Sequence, residues 1–147
     1  SLISHLNWIY GMSAHQVSSC DGPSALILKE GAGITRRHLI DCSAPVTLGR
    51  FSLVAGYGSQ ILAHSIDLSK NRQEARSIDI GDYAFVGTRS VILGGASLPS
   101  YSALGAGSAL RSDFNDEYSI YAGVPAKKVA KTDPAAGFFH RTQAWVR

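Results

Sequence analysis

The sequence predicts an all-β chain: a parallel β-helix coiled from short strands, interrupted by one loop excursion and closed by a short C-terminal capping segment. Three observations predict it. From Ile80 an aliphatic residue recurs at every sixth position, through Val86, Ile92, Leu98, Leu104 and Leu110. Two positions before each stand Ile78, Ala84, Ser90, Ala96, Ser102 and Ser108, all small after the first. The chain is also rich in small residues, with 15 glycines among its 147 residues, which suits tight turns rather than long helices.

A period of six fits neither an amphipathic helix nor a single alternating strand. It fits a coil in which each six-residue segment forms one wall, the aliphatic pointing inward and the small residue sitting at the corner. Three walls make an 18-residue rung, so 80–97 and 98–115 are two complete rungs. Short repeats of this kind bury each other's faces by stacking. Upstream the phase slips. Val46, Leu48, Ser52, Val54 and Gly58 keep one phase; Leu28, Ile34, Ile40 and Val46 keep another, offset by two, and an enlarged turn near 41–46 reconciles them. Residues 1–25 show no readable repeat and are an irregular N-terminal segment or a first coil. The β-helix runs over 26–118.

Between His64 and Ile78 the register breaks. The stretch 65–77, SIDLSKNRQEARS, is polar and lacks spaced aliphatics, and reads as a loop thrown out of the coil. Such excursions from a regular scaffold commonly carry function. Residues 119–147 form a cap and tail. Within them 125–131 reads as the start of a short helix with Pro125 in its first turn. Phe138, Phe139 and Trp145 are placed to pack onto the body or onto a neighbouring subunit.

The bulk numbers exclude several classes. A net charge of +3 is not gathered into a basic run, and Lys127, Lys128 and Lys131 are too few to argue for nucleic acid, so a small anionic molecule is the better-sized partner. Cys20 and Cys42 lack metal or dithiol spacing and read as small buried hydrophobes. No apolar stretch reaches a membrane span and no signal-peptide pattern opens the chain, which makes a cytoplasmic location the expectation.

The segments IGDYAFVGTRSVILGG (80–95), LGAGSAL (104–110) and YAGVPAKKV (121–129) resemble the hexapeptide-repeat acyltransferases of the sugar and polysaccharide O-acetyltransferase type, over roughly 46–131. The resemblance implies a left-handed coil, a homotrimer, and acetyl-CoA as co-substrate in a cleft between subunits, with no metal. It implies a catalytic His at the end of the coil before the excursion, where His64 stands. An imidazole, titrating ordinarily near ~6.5, takes the proton of an acceptor hydroxyl as that hydroxyl attacks the thioester. By position the resemblance gives the coenzyme Phe85, Thr88 (beside the carbonyl oxygen), Gly105, Ala106, Gly107, Arg111, Lys127 and Lys131. The chain departs from the pattern at Thr35, where relatives carry an Asn facing the acceptor, and at Arg111-Ser112 and Leu98-Pro99-Ser100. Acceptor binding then falls to the excursion, with Asp67, Asn71 and Arg72 as candidates. His5, His15 and His140 carry no signal, and His38, in TRRH, reads as a surface residue.

Two other readings share the coil. A γ-type carbonic anhydrase needs three zinc-binding histidines, two of them closely spaced, and no HxxxH or HxxxxH occurs. A non-catalytic assembly or regulatory solenoid would require neither the His, the excursion nor the GVPA end.

Overall fold

The structure, a computed structural model, describes residues 1–13 and 15–146. Its strands form three parallel walls that repeat along the chain. A partial first coil holds β1 (Leu2–Ile3), β2 (Trp8–Tyr10) and β3 (Ser19–Cys20). The next rung is β4 (Leu26–Leu28), β5 (Gly33–Ile34) and β6 (Leu39–Asp41), followed by β7 (Val46–Leu48), β8 (Leu53–Val54) and β9 (Gln60–Leu62). After β10 (His64–Asp67) and β11 (Arg72–Ala75) the coil resumes with β12 (Ile78–Ile80), β13 (Phe85–Val86) and β14 (Val91–Leu93). A further rung, β15 (Ser97–Leu98), β16 (Ala103–Leu104) and β17 (Ala109–Leu110), leads to β18 (Ser119–Gly123) and β19 (Ala126–Lys131). Wall one stacks β4, β7, β12 and β15; wall two stacks β1, β5, β8, β13, β16, β18 and β19; wall three stacks β2, β6, β9, β14 and β17.

The register shows why the sequence period holds in one half and slips in the other. Ile80 pairs with Leu98, Phe85 with Ala103 and Val91 with Ala109, each 18 residues on. Leu28, however, pairs with Leu48, and Ile40 with Ile61. The first offset is the enlarged turn between β6 and β7; the second is one extra residue in the Gly56–Ser59 corner. Residues 1–10 belong to the coil, since β1 and β2 pair in register with β5 and β6.

Inside, the aliphatic of every six is buried, and so is the small residue two before it. The corner serines turn their hydroxyls into the backbone: Ser90 Oγ donates to the Gly87 carbonyl at 2.9 Å and Ser102 Oγ to the Ser100 carbonyl at 3.1 Å. A larger side chain there would break that bond and crowd the next rung. The apolar column ends at Tyr121, fully buried beneath Leu104, with the Phe114 ring stacked on it at 4.3 Å.

Two expectations change here. The segment 125–131 is the strand β19, antiparallel to β18, rather than a helix. It satisfies the open edge of wall two, which a short helix would leave unpaired. The excursion is a hairpin rather than an irregular loop: β10 pairs antiparallel with β11, which in turn pairs with β3. Cys42 is buried but Cys20 is exposed, on the edge strand β3 of that small sheet.

The corner between walls one and two carries an aromatic residue in the left-handed conformation in each of four rungs: Phe51, Tyr83, Tyr101 and Tyr118. Their rings stack at 5.2, 5.5 and 4.9 Å. The tail folds back over this ladder. Phe139 meets Tyr101 and Tyr118 edge-on, Arg141 lies over the Phe138 ring and bonds the Phe51 carbonyl, and the Tyr83 hydroxyl donates to the Arg141 carbonyl at 3.2 Å.

Candidate active site

His64 opens β10, where the chain leaves wall three. Its neighbour on the preceding rung is Asp41, the last residue of β6. The enlarged turn after β6 turns the Asp41 carboxylate into the protein, so that its side chain is 0% exposed while that of His64 keeps 28%. Oδ1 accepts from the amide of Ser43 at 3.0 Å and from the Ser43 hydroxyl. Oδ2 accepts from the amide of His64 at 2.9 Å and pairs with His64 Nδ1.

Burial by itself would raise the pKa of Asp41, but the hydrogen bonds from Ser43 and His64 outweigh it and hold the carboxyl below its ordinary value. The group is an anion at neutral pH. An anionic carboxylate on Nδ1 requires that nitrogen to carry the proton, which leaves the lone pair on Nε2. Among the described residues no protein group bonds Nε2. The arrangement can take a proton at one defined atom on the partly exposed side of the ring. Asp41 is the residue that sequence reading missed.

The other expected residues sit elsewhere. Asp67 and Arg72 are partners at the far end of the hairpin, with Asn71 in its turn. They lie three residue pairs from His64, about 10 Å at strand spacing. The Asp67 carboxylate closes the turn, accepting from Ser69 Oγ at 2.6 Å and pairing with Lys70 Nζ at 3.1 Å, which pulls its pKa to about 2. Gly105, Ala106 and Gly107 form the corner between walls two and three. There Ala106 and Gly107 are exposed, and a side chain at Gly107 would meet open space. Thr88 lies on the same corner, one rung back, with its hydroxyl donating to the Tyr57 carbonyl at 2.8 Å and accepting from the Tyr57 amide at 3.1 Å. Phe85 packs edge-on against Phe138 of the tail. Arg111, Lys127 and Lys131 are exposed, and no ion pair holds them among the described residues; Lys128 instead pairs with Asp116 at 2.8 Å. Within one chain, then, the imidazole lies past wall three toward wall one, and the glycine corner lies between walls two and three.

His38 is not a surface residue. It is buried: Nδ1 accepts from the Ser59 amide at 3.2 Å, and Nε2 donates to Thr35 Oγ1 at 2.9 Å. Burial pushes its imidazole pKa down, so it serves as a neutral corner peg. Thr35 is engaged as well, bonding the Val54 and Gly56 carbonyls. Among the described residues no three His, Cys, Asp or Glu side chains converge as a metal site would require, and no helix is long and apolar enough to cross a membrane.

The stacked-wall architecture as a whole superposes on solved structures. A maltose O-acetyltransferase from Clostridium difficile 630 superposes with a TM-score of 0.72 at 15% identity, over 89% of this chain and 66% of that one. The chain has the fold of the hexapeptide-repeat O-acetyltransferases. A hexapeptide-repeat-containing acetyltransferase from Vibrio cholerae gives 0.69 at 19% identity (90% of this chain, 73% of that one), and a polysialic acid O-acetyltransferase gives 0.67 at 20% (88% and 59%). The Vibrio cholerae protein has also been solved in complex with acetyl coenzyme A. The chain spans less than two thirds of the length of the polysialic acid enzyme and about that share of the maltose enzyme. No family model and no curated protein matches the sequence. At these identities the hexapeptide-repeat likeness carries the fold; the chemistry rests on the chain's own side chains.

Proposed function

We propose that this chain is an acetyl-CoA-dependent O-acetyltransferase acting on a sugar or polysaccharide hydroxyl, with His64 as general base and Asp41 as the residue that positions it. One observation carries the reading: an imidazole with Nδ1 tied to a fully buried carboxylate and Nε2 left open, set where the coil gives way to the hairpin. The acceptor hydroxyl oxygen attacks the thioester carbonyl carbon as its proton passes to Nε2. Collapse of the tetrahedral intermediate breaks the C–S bond, and the proton on Nε2 goes to the departing thiolate. Asp41 holds the ring and stabilises its protonated form in between.

The residues fit a coenzyme. The exposed Ala106–Gly107 backbone admits close approach by a pantetheine arm, and Lys127 and Lys131, unpaired among the described residues, suit phosphates as point charges. Gly105, Arg111 and Phe85 border that path. Thr88 would reach the thioester oxygen only by giving up Tyr57. Because base and glycine corner occupy different corners of one coil, the reading assigns the site to the groove between two copies, the His64 of one facing the glycine corner of the next. A homotrimer of left-handed coils places every copy in both roles. Asp67, Asn71 and Arg72, at the hairpin tip, then reach the acceptor across that groove.

The test is thiol release from acetyl-CoA with a panel of sugars. His64→Gln should retain coenzyme A binding and lose about 10²–10⁴ in kcat/KM. An unchanged kcat/KM with the acceptor the wild-type protein uses would sink the mechanism.

A further inference from the structure

The corner between walls two and three is one continuous column. Gly107, Arg89, Gly58, Arg37 and Leu6 hold its left-handed position in successive rungs. Backbone bonds tie them together: the Gly107 amide donates to the Thr88 carbonyl at 2.9 Å, Arg89 to Tyr57 at 3.1 Å and Gly58 to Arg37 at 2.9 Å. One end of the column is small and bare, the Gly105–Gly107 segment. The other end is basic. Arg36, Arg37 and His5 are exposed there, Arg89 is exposed two rungs nearer the glycines, and among the described residues none of the three guanidiniums pairs with a carboxylate.

Tyr57 stands between them and is held in place. Its backbone is clamped on both sides by Thr88 Oγ1, its hydroxyl accepts from Arg89 Nη2 at 3.2 Å, and the Arg89 guanidinium carbon lies 5.2 Å from its ring centroid. Beneath the corner the buried His38 fixes the backbone through Ser59 and Thr35. His5, Arg36, Arg37 and Tyr57 enclose a cavity of about 270 Å³. Arg37 and Arg89 are two rungs apart, about 10 Å at the usual strand spacing, so the guanidiniums line a short basic track and not a single point. Guanidinium forks match carboxylate and phosphate oxygens, and a half-exposed aromatic face suits the C–H face of a sugar ring.

We propose that this corner docks a negatively charged saccharide, its carboxylate or phosphate groups on Arg36, Arg37 and Arg89 and a sugar ring against Tyr57. The identification of that saccharide as the acetyl acceptor rests on the acetyltransferase reading; the anion site itself does not.

The experiment is calorimetric titration of the full chain at low salt with hexagalacturonate, phosphorylated maltohexaose and neutral maltohexaose. At least one acidic sugar should bind about tenfold or more tighter than the neutral one, the difference expected from a charge-assisted hydrogen bond. The better of the two acidic sugars identifies the anion. The advantage should vanish in Arg36→Gln/Arg37→Gln and, separately, in Arg89→Gln, and should persist in saturating coenzyme A. Arg36 makes no hydrogen bond that the fold needs, so Arg36→Gln alone serves as the variant certain to keep the coil. Equal binding of acidic and neutral sugars overturns the proposal, as does indifference to all three variants. Displacement by coenzyme A also overturns it and gives the corner to the coenzyme's phosphates. If the wild-type protein binds the acidic sugar here yet never cleaves acetyl-CoA with it, the acetyltransferase reading fails and the site stands. If neutral acceptors are acetylated as fast as acidic ones in wild type and variants alike, the site fails and the reading stands.

Discussion

Replacing Asp41 by Asn removes one charge and almost no volume, and it separates positioning from packing. The carboxylate accepts four hydrogen bonds, two from Ser43 and two from His64. An amide keeps one acceptor oxygen and turns an NH₂ toward the other pair of donors. If the NH₂ faces His64, Nδ1 must become the acceptor, the ring proton moves to Nε2, and the base is lost. In either orientation a backbone amide, that of His64 or that of Ser43, also confronts the NH₂ as a second donor in a fully buried site. The first effect should cost about 10²–10⁴ in kcat/KM, bounded by the loss in His64→Gln. The second should cost about 1–3 kcal/mol, or roughly 2–12 °C in Tm for a chain of this size. The assays are thiol release with the acceptor in excess, and thermal unfolding from neutral to acid pH. Because hydrogen bonds hold Asp41 below its ordinary pKa, the unfolded chain binds its proton first as the pH drops. The stability that the carboxylate supplies is therefore complete above about pH 4 and disappears as the pH falls through the lowered folded value. The Tm gap between wild type and Asp41→Asn should narrow in acid. A variant within about threefold of wild-type kcat/KM, or a gap that widens on acidification, would refute the dyad.

Leu104→Ala should destabilise by about 2–5 kcal/mol, read by urea unfolding, because Leu104 is fully buried between Val86 and Tyr121 and a rung cannot collapse without moving its neighbours. The double variant Lys127→Ala/Lys131→Ala should raise the KM for acetyl-CoA about 3–10-fold with kcat unchanged, since both lysines are exposed and unpaired among the described residues; steady-state kinetics decide it. Asp67→Ala should leave Tm essentially unchanged and loosen only the 68–71 turn, seen as faster amide exchange at Ser69 and Lys70, whose amides bond the Asp67 carboxylate.

The coil from Ile80 to Leu110 was legible because each of its positions answers to one demand: aliphatic inside, small at the corner, no turn enlarged. Upstream the same demands hold, but the extra residues at 42–45 and 56–59 shift the phase, and the first of those shifts is what buries Asp41. A carboxylate closing a polar-looking turn gives no sign in the sequence that it faces inward. Only the stacking of β6 under the residues that follow β9 carries Asp41 to His64, 23 positions later. The hairpin was hidden because both its faces are largely polar, so no alternation marks β10 or β11. AKKVAK pairs through its backbone alone, which leaves β19 without a side-chain signature. His38 looked solvated beside Arg36 and Arg37 because a corner can send adjacent side chains to opposite sides of the backbone.

A column of coils in which each layer grips only the next one ordinarily frays from its ends, one layer at a time. The tail alters that. By crossing four layers and fastening Arg141 to the carbonyl of Phe51, it sutures the last turn of the chain to the second full one. Opening the C-terminal layers therefore means pulling out this stitch first, so loss of structure there should be coupled to loss at Phe51 and Tyr83 in a single cooperative step.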